Sequence, residues 1–209
     1  VLLTITTTVK SDWTDCALPC RCKWTSGKKT ALCSSSGLTA LPNISSDVQV
    51  LDIQNNFITY LKSEAFYSIE LINLQKIFMK NTSLTVLHRD AFKKLTILIE
   101  VDLSDNQLSL IPQGTFSGND RLKVLILNGN PLKELPSEQF PQLPHLRSLE
   151  IENCKLQTIH KNAFVNLRQL ERLSLRNNLL KTLSDIVFKP IVKLKSLALE
   201  NNPWKCDCK

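Results

Sequence analysis

The sequence is poor in the features on which catalytic sites are commonly built. Its 209 residues include only five glycines and three histidines, and they contain no glycine-rich phosphate loop, nucleophile elbow or metal-ligand spacing. His88 and His160 are predicted to lie in separate turns and His145 before a strand, so the three cannot converge on one reaction centre. We therefore expect no enzymatic activity, cofactor or metal ion. This expectation applies to residues 1–209, and a catalytic domain elsewhere in a longer chain is not excluded by it.

Long apolar runs are also missing. No stretch of 18 apolar residues occurs, so no membrane-spanning helix is predicted in this chain. Residues 1–9 have neither an initiator methionine nor a basic start. We interpret them either as the end of a signal peptide's apolar region or as an N-terminal arm. With 43% hydrophobic and 22% charged residues, the chain has the composition of a folded protein.

What the sequence does contain is a repeated pattern. Residues 98–108 read LIEVDLSDNQL, with apolar residues at steps 1, 4, 6 and 11 and asparagine at step 9. The pattern begins seven times, with a first spacing of 26 residues and then a constant 24, at Val48, Leu74, Leu98, Leu122, Leu146, Leu170 and Leu194. A strand followed by a tight turn explains each unit. Such units stack into a solenoid because none can bury its apolar side alone.

Two further apolar columns fix the register. Step 14 holds Leu61, Leu87, Ile111, Leu135, Ile159 and Leu183. Step 19 takes six of the eight phenylalanines, Phe66, Phe92, Phe116, Phe140, Phe164 and Phe188. We expect these rings to stack along the inside of the convex wall and to bury much apolar area. Step 22 is usually apolar too, but Asn119 interrupts it in the third unit.

A polar column is predicted where each strand ends. Step 9 holds Asn56, Thr82, Asn106, Asn130, Cys154, Asn178 and Asn202. A short side chain with donors can satisfy the backbone groups that face inward there. We interpret Cys154 as a buried member of this column. A reactive thiol is the alternative, although burial among apolar residues would raise its pKa.

Six of the seven cysteines lie near the two ends of the chain, at Cys16, Cys20, Cys22, Cys33, Cys206 and Cys208. Such terminal clusters suggest disulfide-bonded caps formed in an oxidising compartment. A zinc site is the alternative for the front cluster. Two sequons, at Asn43 and Asn81, fit a secreted protein and are candidate glycosylation sites.

The caps carry a specific resemblance. The run from Cys16 to Cys22 with Cys33 beyond it, and the run from Asn202 to Cys208, resemble the two ends of extracellular leucine-rich repeat proteins. This family includes the Slit, Nogo receptor, neurotrophin-receptor, Kekkon and Toll-type groups. The resemblance implies disulfides Cys16–Cys22 and Cys20–Cys33, although four cysteines allow three pairings. It also implies a C-terminal cap that is incomplete in this chain, with Cys206 and Cys208 unpaired.

The fold implied by the resemblance is a right-handed α/β solenoid, or horseshoe. It has a parallel β-sheet on the concave side and turns with short 3₁₀ segments on the convex side. We place an N-terminal arm or signal-peptide remnant at 1–15 and the N-terminal cap at 16–47. Seven repeat units follow at 48–201, and the start of the C-terminal cap lies at 202–209.

Side chains that point out of the strands, at steps 3, 5 and 7, form the candidate binding face. We expect it to include Val50, Phe78, Glu100, Asp102, Val124, Ile126, Glu150, Glu152, Arg172 and Arg176. The central apolar pair, Val124 and Ile126, is either a binding hot spot or scattered surface apolarity. Opposite charges in adjacent units are expected to pair, Lys76 with Glu100 and Arg176 with both Glu152 and Glu200.

These features predict the ectodomain of a cell-surface receptor or adhesion protein that binds a protein ligand. A secreted matrix protein or ligand trap and an innate-immune pattern receptor are the alternatives. We expect the full protein to be membrane-anchored, while residues 1–209 themselves insert no segment into the membrane. Because acids prevail on the concave face, the net charge of +7 must lie on caps, flanks and turns, and any weak heparan-type contact is expected there. The concave face lacks the basic, aromatic groove of a nucleic-acid reader.

Overall fold

The computed structural model describes Cys16 and residues 18–205. These residues form thirteen strands and two 3₁₀-helices, Tyr67–Ile69 and Asp185–Phe188. In chain order the strands are β1 (Arg21–Thr25), β2 (Lys28–Leu32), β3 (Val50–Asp52), β4 (Tyr60–Leu61), β5 (Lys76–Phe78), β6 (Val86–Leu87), β7 (Glu100–Asp102), β8 (Val124–Ile126), β9 (Glu134–Leu135), β10 (Ser148–Glu150), β11 (Thr158–Ile159), β12 (Arg172–Ser174) and β13 (Ser196–Ala198). Nine of them make one sheet, in the order β1-β2-β3-β5-β7-β8-β10-β12-β13.

Each repeat unit contributes one strand at steps 3 to 5, and the predicted register is confirmed. Glu100 of β7 pairs with Val124 of β8, and Asp102 pairs with Ile126, as the spacing of 24 residues requires. All seven repeat strands run parallel. Because side chains alternate along a strand, step 4 points into the core, and Leu125 is fully buried. The molecule is therefore a solenoid of about seven turns with a parallel sheet on its concave side.

The N-terminal cap extends this sheet by two strands that the repeat pattern does not reveal. Strands β1 and β2 form an antiparallel hairpin, and β2 then pairs in parallel with β3. Cys16 is bonded to Cys22 and Cys20 to Cys33, which is the pairing that the resemblance implies. The zinc alternative for this cluster is wrong, since all four thiols are used in disulfides.

The phenylalanine column packs as predicted. Phe92 stacks between Phe66 and Phe116, with ring centroids 5.6 and 5.3 Å apart, and Phe140 stacks on Phe164 at 6.1 Å. These five rings are fully buried. They fill the space behind the convex wall and hold successive units at a fixed spacing.

The interruption at Asn119 has a structural role. Its side chain is fully buried, and its Nδ2 atom donates to the carbonyls of Phe92 and Leu95, both at 3.0 Å. The amide thus supports the irregular convex backbone where other units use an apolar residue.

The step 9 column also works as predicted. Asn106 Nδ2 donates to Met79 O at 2.7 Å and Leu103 O at 2.9 Å, and its Oδ1 accepts from the N–H groups of Thr82 and Leu84 at 2.9 Å. Cys154 takes the same place in the fifth unit, where its thiol donates to Leu127 O at 3.4 Å. Burial raises the pKa of Cys154 to about 11, which favours the structural interpretation over the reactive one.

The flank beside the concave sheet carries two short parallel sheets, β4 with β6 and β9 with β11. They are separated at the third unit, where Pro112 stands at step 15 and lacks the N–H that His88 and His160 donate to the preceding unit. No helix among the described residues is long and apolar enough to cross a membrane. Residues 1–15, Cys206 and Cys208 lie outside the described residues, so the predictions made for them stay predictions.

Candidate functional site

The concave face is built from alternating side chains of the seven repeat strands. At step 5 it forms what we call the central column, namely Asp52, Phe78, Asp102, Ile126 and Glu150, each beside the next through the strand pairing. Carboxylates therefore alternate with apolar side chains. Successive carboxylates lie two strands apart, or about 10 Å.

The three carboxylates of the central column have polar contacts but no cationic partner among the described residues. Asp52 Oδ1 accepts from Gln54 N at 3.2 Å, and Asp102 Oδ1 accepts from Ser104 N at 2.8 Å. Glu150 accepts from the Nδ2 atom of Asn128 at 3.1 Å. All three are half-buried. They are thus held in place while keeping their negative charge available to a partner.

The apolar residues of the face are less exposed than the sequence suggests. Val50 is only 9% exposed, because Thr30 of the cap hairpin lies on one side of it and Lys76 on the other. The expectation that Val50 is an exposed contact is therefore wrong. Val124 and Ile126 are half-buried, between their lateral neighbours in β7 and β10.

Two of the expected ion pairs form and one does not. Lys76 Nζ lies 2.7 Å from Glu100 Oε2, and Arg176 Nε lies 2.8 Å from Glu200 Oε2. The hydrogen bond to Arg176 lowers the pKa of the Glu200 carboxyl. Glu152 accepts a hydrogen bond from the Ser174 hydroxyl instead of pairing with Arg176. The remaining predicted member, Arg172, is exposed.

The edge of the face, at step 8, has a feature that the sequence analysis missed. Every residue there has a positive φ between 53 and 70°, namely Asn55, Asn81, Asp105, Gly129, Asn153, Asn177 and Asn201. Asn, Asp and Gly adopt this left-handed conformation most readily. Step 8 contains only Asn, Asp and Gly, and this restriction was the signal that could have revealed the sharp turn after each strand.

Among the described residues the three histidines contact separate stretches of backbone, and no metal-binding cluster is found. His88 and His160 accept through Nδ1 from backbone N–H groups two residues onward in their own turns, and His145 contacts Asp120 O at 2.8 Å. No group of three or more His, Cys, Asp or Glu in residues 18–205 could hold a metal ion. The geometry instead offers a broad, charged surface suited to macromolecular contact.

Comparison with known proteins agrees with this geometry. The family model described as leucine rich repeat matches residues 46–108, 72–132, 98–156 and 144–203, which together cover more than half of the chain. The chain belongs to the leucine-rich repeat family. The overlapping matches follow the same units that the strand register defines.

Several relatives in this leucine-rich repeat family are receptors by name. The chain is 31% identical over 112 residues to leucine-rich repeat-containing G-protein coupled receptor 5A of Xenopus laevis, covering 53% of the chain and 10% of the relative. It is 30% identical over 112 residues to human reticulon-4 receptor-like 2, covering 53% and 25%. Human keratocan is 30% identical over 140 residues, covering 54% and 39%.

A solved structure shows the same fold. The crystal structure of the TLR13–ssRNA13 complex superposes with a TM-score of 0.64 and 29% identity, over 74% of this chain and 22% of that one. The chain thus spans well under half the length of these proteins. The relatives and the structure together support a protein-binding leucine-rich repeat domain.

Proposed function

We propose that this domain is the ligand-capturing ectodomain of a cell-surface receptor or adhesion protein, and that it binds an extracellular protein on its concave face. The central column carries the proposal. It presents Phe78 and Ile126 between carboxylates that have no cationic partner within the described residues. A protein segment with apolar and basic side chains in alternation complements this arrangement.

The cellular location rests on two supports. The N-terminal cap holds two disulfides, and disulfides persist in oxidising compartments. Two of the relatives are receptors by name. We therefore place the protein at the cell surface or in the extracellular space.

An innate-immune pattern receptor for nucleic acid is less compatible with the same face. The structural neighbour is a complex with single-stranded RNA. In this chain, however, Asp52, Asp102 and Glu150 run along the middle of the concave sheet. Carboxylates without cationic partners would repel a phosphate backbone.

The test uses the tetramerised 209-residue chain as a probe against a panel of extracellular proteins displayed on cells, followed by one variant. Ile126→Arg places a guanidinium between Asp102 and Glu150. This removes the apolar contact and offsets one of the three negative charges of the column, and because the side chain lies on the outer face of the sheet the fold should persist. We expect binding to the protein identified in the panel to fall at least tenfold.

The matched control is Leu110→Arg, because Leu110 is 63% exposed on the flank, away from the concave sheet. It introduces the same charge and should leave binding unchanged. If the Ile126→Arg variant and the parent chain bind with equal affinity and have equal melting temperatures, the concave face is not the binding site.

A further inference from the structure

A second charged surface lies on the rim where the strands of the rear units begin. The rear units are units four to seven. Basic side chains are concentrated at two places in these units, namely the two residues that precede step 1 and the residue at step 2. We call them the basic strip: Arg121, Lys123, Arg147, Arg168, Lys193 and Lys195. All six are exposed. The same positions hold only two carboxylates, Asp120 and Glu171.

The strip is continuous along the solenoid axis. Arg147 N donates to Lys123 O at 2.9 Å, Glu171 N to Arg147 O at 2.9 Å, and Lys195 N to Glu171 O at 2.8 Å. Step 2 of the four rear units is therefore one backbone ladder. At about 4.8 Å per strand, it extends over roughly 14 Å.

Most of the positive charge on the strip is uncommitted. Four of the six, Arg121, Lys123, Arg168 and Lys193, make no ion pair with any described residue, and Lys193 Nζ donates to the neutral Gln169 Oε1 at 2.7 Å. The central carboxylate, Glu171, is already shared by Lys195 at 2.7 Å and Arg147 at 3.7 Å. Lys195 is the main cause of the lowered pKa of Glu171, so this carboxylate stays ionised and its charge is balanced by its neighbours.

Within the repeat units, charge at step 2 is restricted to the rear of the molecule. In the cap hairpin Lys29 lies beside Gln49 on the same rim, and it is paired with Asp47 at 2.8 Å. Step 2 of units one to three is uncharged, with Gln49, Gln75 and Ile99. Glu150, on the concave side, lies three residues further along its strand than Arg147, or about 10 Å away. The rear units thus separate a basic rim from the carboxylates of the central column, and a linear polyanion can follow the rim without meeting that column.

We propose that the basic strip binds a sulfated polysaccharide chain laid along the solenoid axis. Such a chain is extended and highly anionic, which matches a row of exposed cations on an open rim with no enclosing pocket. Disulfides place the protein in an oxidising compartment, where sulfated polysaccharides are abundant polyanions. The strip contains no Phe, Tyr or Trp, so it lacks the stacking platforms that single-stranded nucleic acids use.

The test measures binding of the 209-residue chain to immobilised heparin and, in solution, to heparan sulfate oligosaccharides. The variant Arg121→Gln/Lys123→Gln/Arg168→Gln removes three exposed cations that have no ion-pair partner, so the fold should be unaffected. We expect about a tenfold loss of affinity at physiological salt and elution from heparin at lower salt. Chemically desulfated heparin should not bind the parent chain.

The matched control is Lys133→Gln/Lys155→Gln/Lys181→Gln, which removes the same charge from exposed side chains on the opposite flank of the rear units. It should retain the parent affinity. A loss equal to that of the strip variant would mean that net charge alone drives binding, which overturns the proposal. Tighter binding of a single-stranded RNA oligonucleotide than of heparan sulfate would overturn the assignment to a polysaccharide.

A second variant tests the strip in the opposite direction. Glu171→Gln frees Lys195 and Arg147 from their shared carboxylate, and we expect roughly two- to threefold tighter binding to heparan sulfate. Unchanged or weaker binding would contradict the proposal that the basic strip is the polysaccharide-binding site. The inference does not depend on the concave-face proposal, because the Ile126→Arg variant leaves the rim untouched and should bind heparin like the parent chain.

Discussion

The side-chain amide of Gln139 donates a hydrogen bond to the backbone carbonyl of Ile111, with Nε2 and O separated by 2.9 Å. Both residues are buried. In the second and fifth units the residue at step 15 donates its own N–H to the preceding unit, His88 to Leu61 O at 2.9 Å and His160 to Leu135 O at 2.8 Å. In the fourth unit, step 15 is Pro136, which has no N–H. Gln139 therefore replaces a missing rung of the backbone ladder.

The first prediction concerns this replacement. Gln139→Ala should lower the free energy of unfolding by about 1–3 kcal/mol, because a buried carbonyl is left unpaired. Adding Pro136→Ala to that variant restores a backbone N–H opposite Ile111 and should recover part of the loss. Urea unfolding of the parent, both single variants and the double variant gives the coupling free energy between positions 136 and 139.

The control is Gln113→Ala. Gln113 also donates through Nε2 to a backbone carbonyl, that of Ser137 at 2.6 Å, but it is exposed. Its removal should cost less than about 0.5 kcal/mol. Strictly additive effects of Pro136→Ala and Gln139→Ala would mean that the two positions do not share one carbonyl.

The second prediction concerns the phenylalanine column. Phe92 is fully buried and stacks on both Phe66 and Phe116. Phe92→Ala should therefore destabilise the protein by about 3–5 kcal/mol. Phe188 occupies the same step in the sixth unit, which is the last unit with a residue at this step, but it is only half-buried. Phe188→Ala should therefore lower the free energy of unfolding distinctly less. Equal losses in chemical denaturation would show that neither the deeper burial of Phe92 nor its stacking on two rings adds stability, which would contradict the prediction.

Much of the fold could be predicted from the sequence because the same requirement recurs in every unit. Steps 4, 6 and 11 face a continuous core, so their apolar character repeats at a spacing of 24 residues and survives single exceptions. Strand register, the phenylalanine column and the asparagine column all follow from that spacing. The resemblance of the cysteine cluster added the disulfide pairing, which spacing alone does not determine.

Features that occur once were beyond this approach. The cap hairpin of β1 and β2 has no repeat to identify it, although its alternate residues enter the sheet beside Val50. The side chain of Gln139 breaks a column that is alanine in Ala65, Ala91 and Ala163. Its partner carbonyl is 28 residues away, so only the folded structure shows why the exception is there.

The candidate site was predicted less well than the scaffold. Which side chains face outward follows from alternation along the strand. The eight named positions at steps 3 and 5 do lie on strands of the concave sheet, whereas Glu152 and Arg176, at step 7, lie two residues beyond the ends of their strands. How exposed they are depends on the length of their neighbours, which is why Val50 is covered. Which charges pair depends on rotamers, and Glu152 bonds Ser174 rather than Arg176.

The third prediction concerns the thiol of Cys154. With a pKa of about 11, raised from 9.0 by burial, the thiol is almost fully protonated at neutral pH. Labelling by iodoacetamide in the native state should be slow at pH 8 and should still rise up to about pH 11, because the thiolate is the nucleophile. In urea the labelling should level off near pH 9. Mass spectrometry of the tryptic peptide 148–155 isolates this cysteine from the others.

The fourth prediction follows from the same site. Cys154→Asn restores the side chain found at step 9 in five other units, Asn56, Asn106, Asn130, Asn178 and Asn202. The amide can donate to Leu127 O and Glu152 O, which the thiol now contacts at 3.4 Å. We expect an increase of about 1 kcal/mol in the free energy of unfolding. Cys154→Ala is the matched control and should not be stabilised, since it offers no donor; Leu127 O keeps its bond from Asn130 Nδ2 at 2.9 Å and Glu152 O keeps its bond from Gly129 N at 2.8 Å.

The last prediction concerns the two sequons. Asn43 and Asn81 are both exposed, and Asn81 lies on the edge of the concave face, where its Nδ2 atom donates to Asn55 Oδ1 at 2.9 Å. In protein secreted from animal cells we expect a glycan at each site. A glycan on Asn81 would shield the front units and direct a partner toward units three to six.

Removing the second glycan requires a substitution that the turn accepts. Asn81 has φ 53°, and Gly129 occupies the equivalent step, so Asn81→Gly is compatible with the left-handed backbone. The buried Thr82 must stay, because its hydroxyl lies 3.0 Å from Asn106 Oδ1. Asn43→Gln and Asn81→Gly should each increase electrophoretic mobility by one step, and an endoglycosidase should abolish the differences. If Asn81→Gly migrates like the parent while Asn43→Gln does not, Asn81 carries no glycan, and the front units are open to a partner.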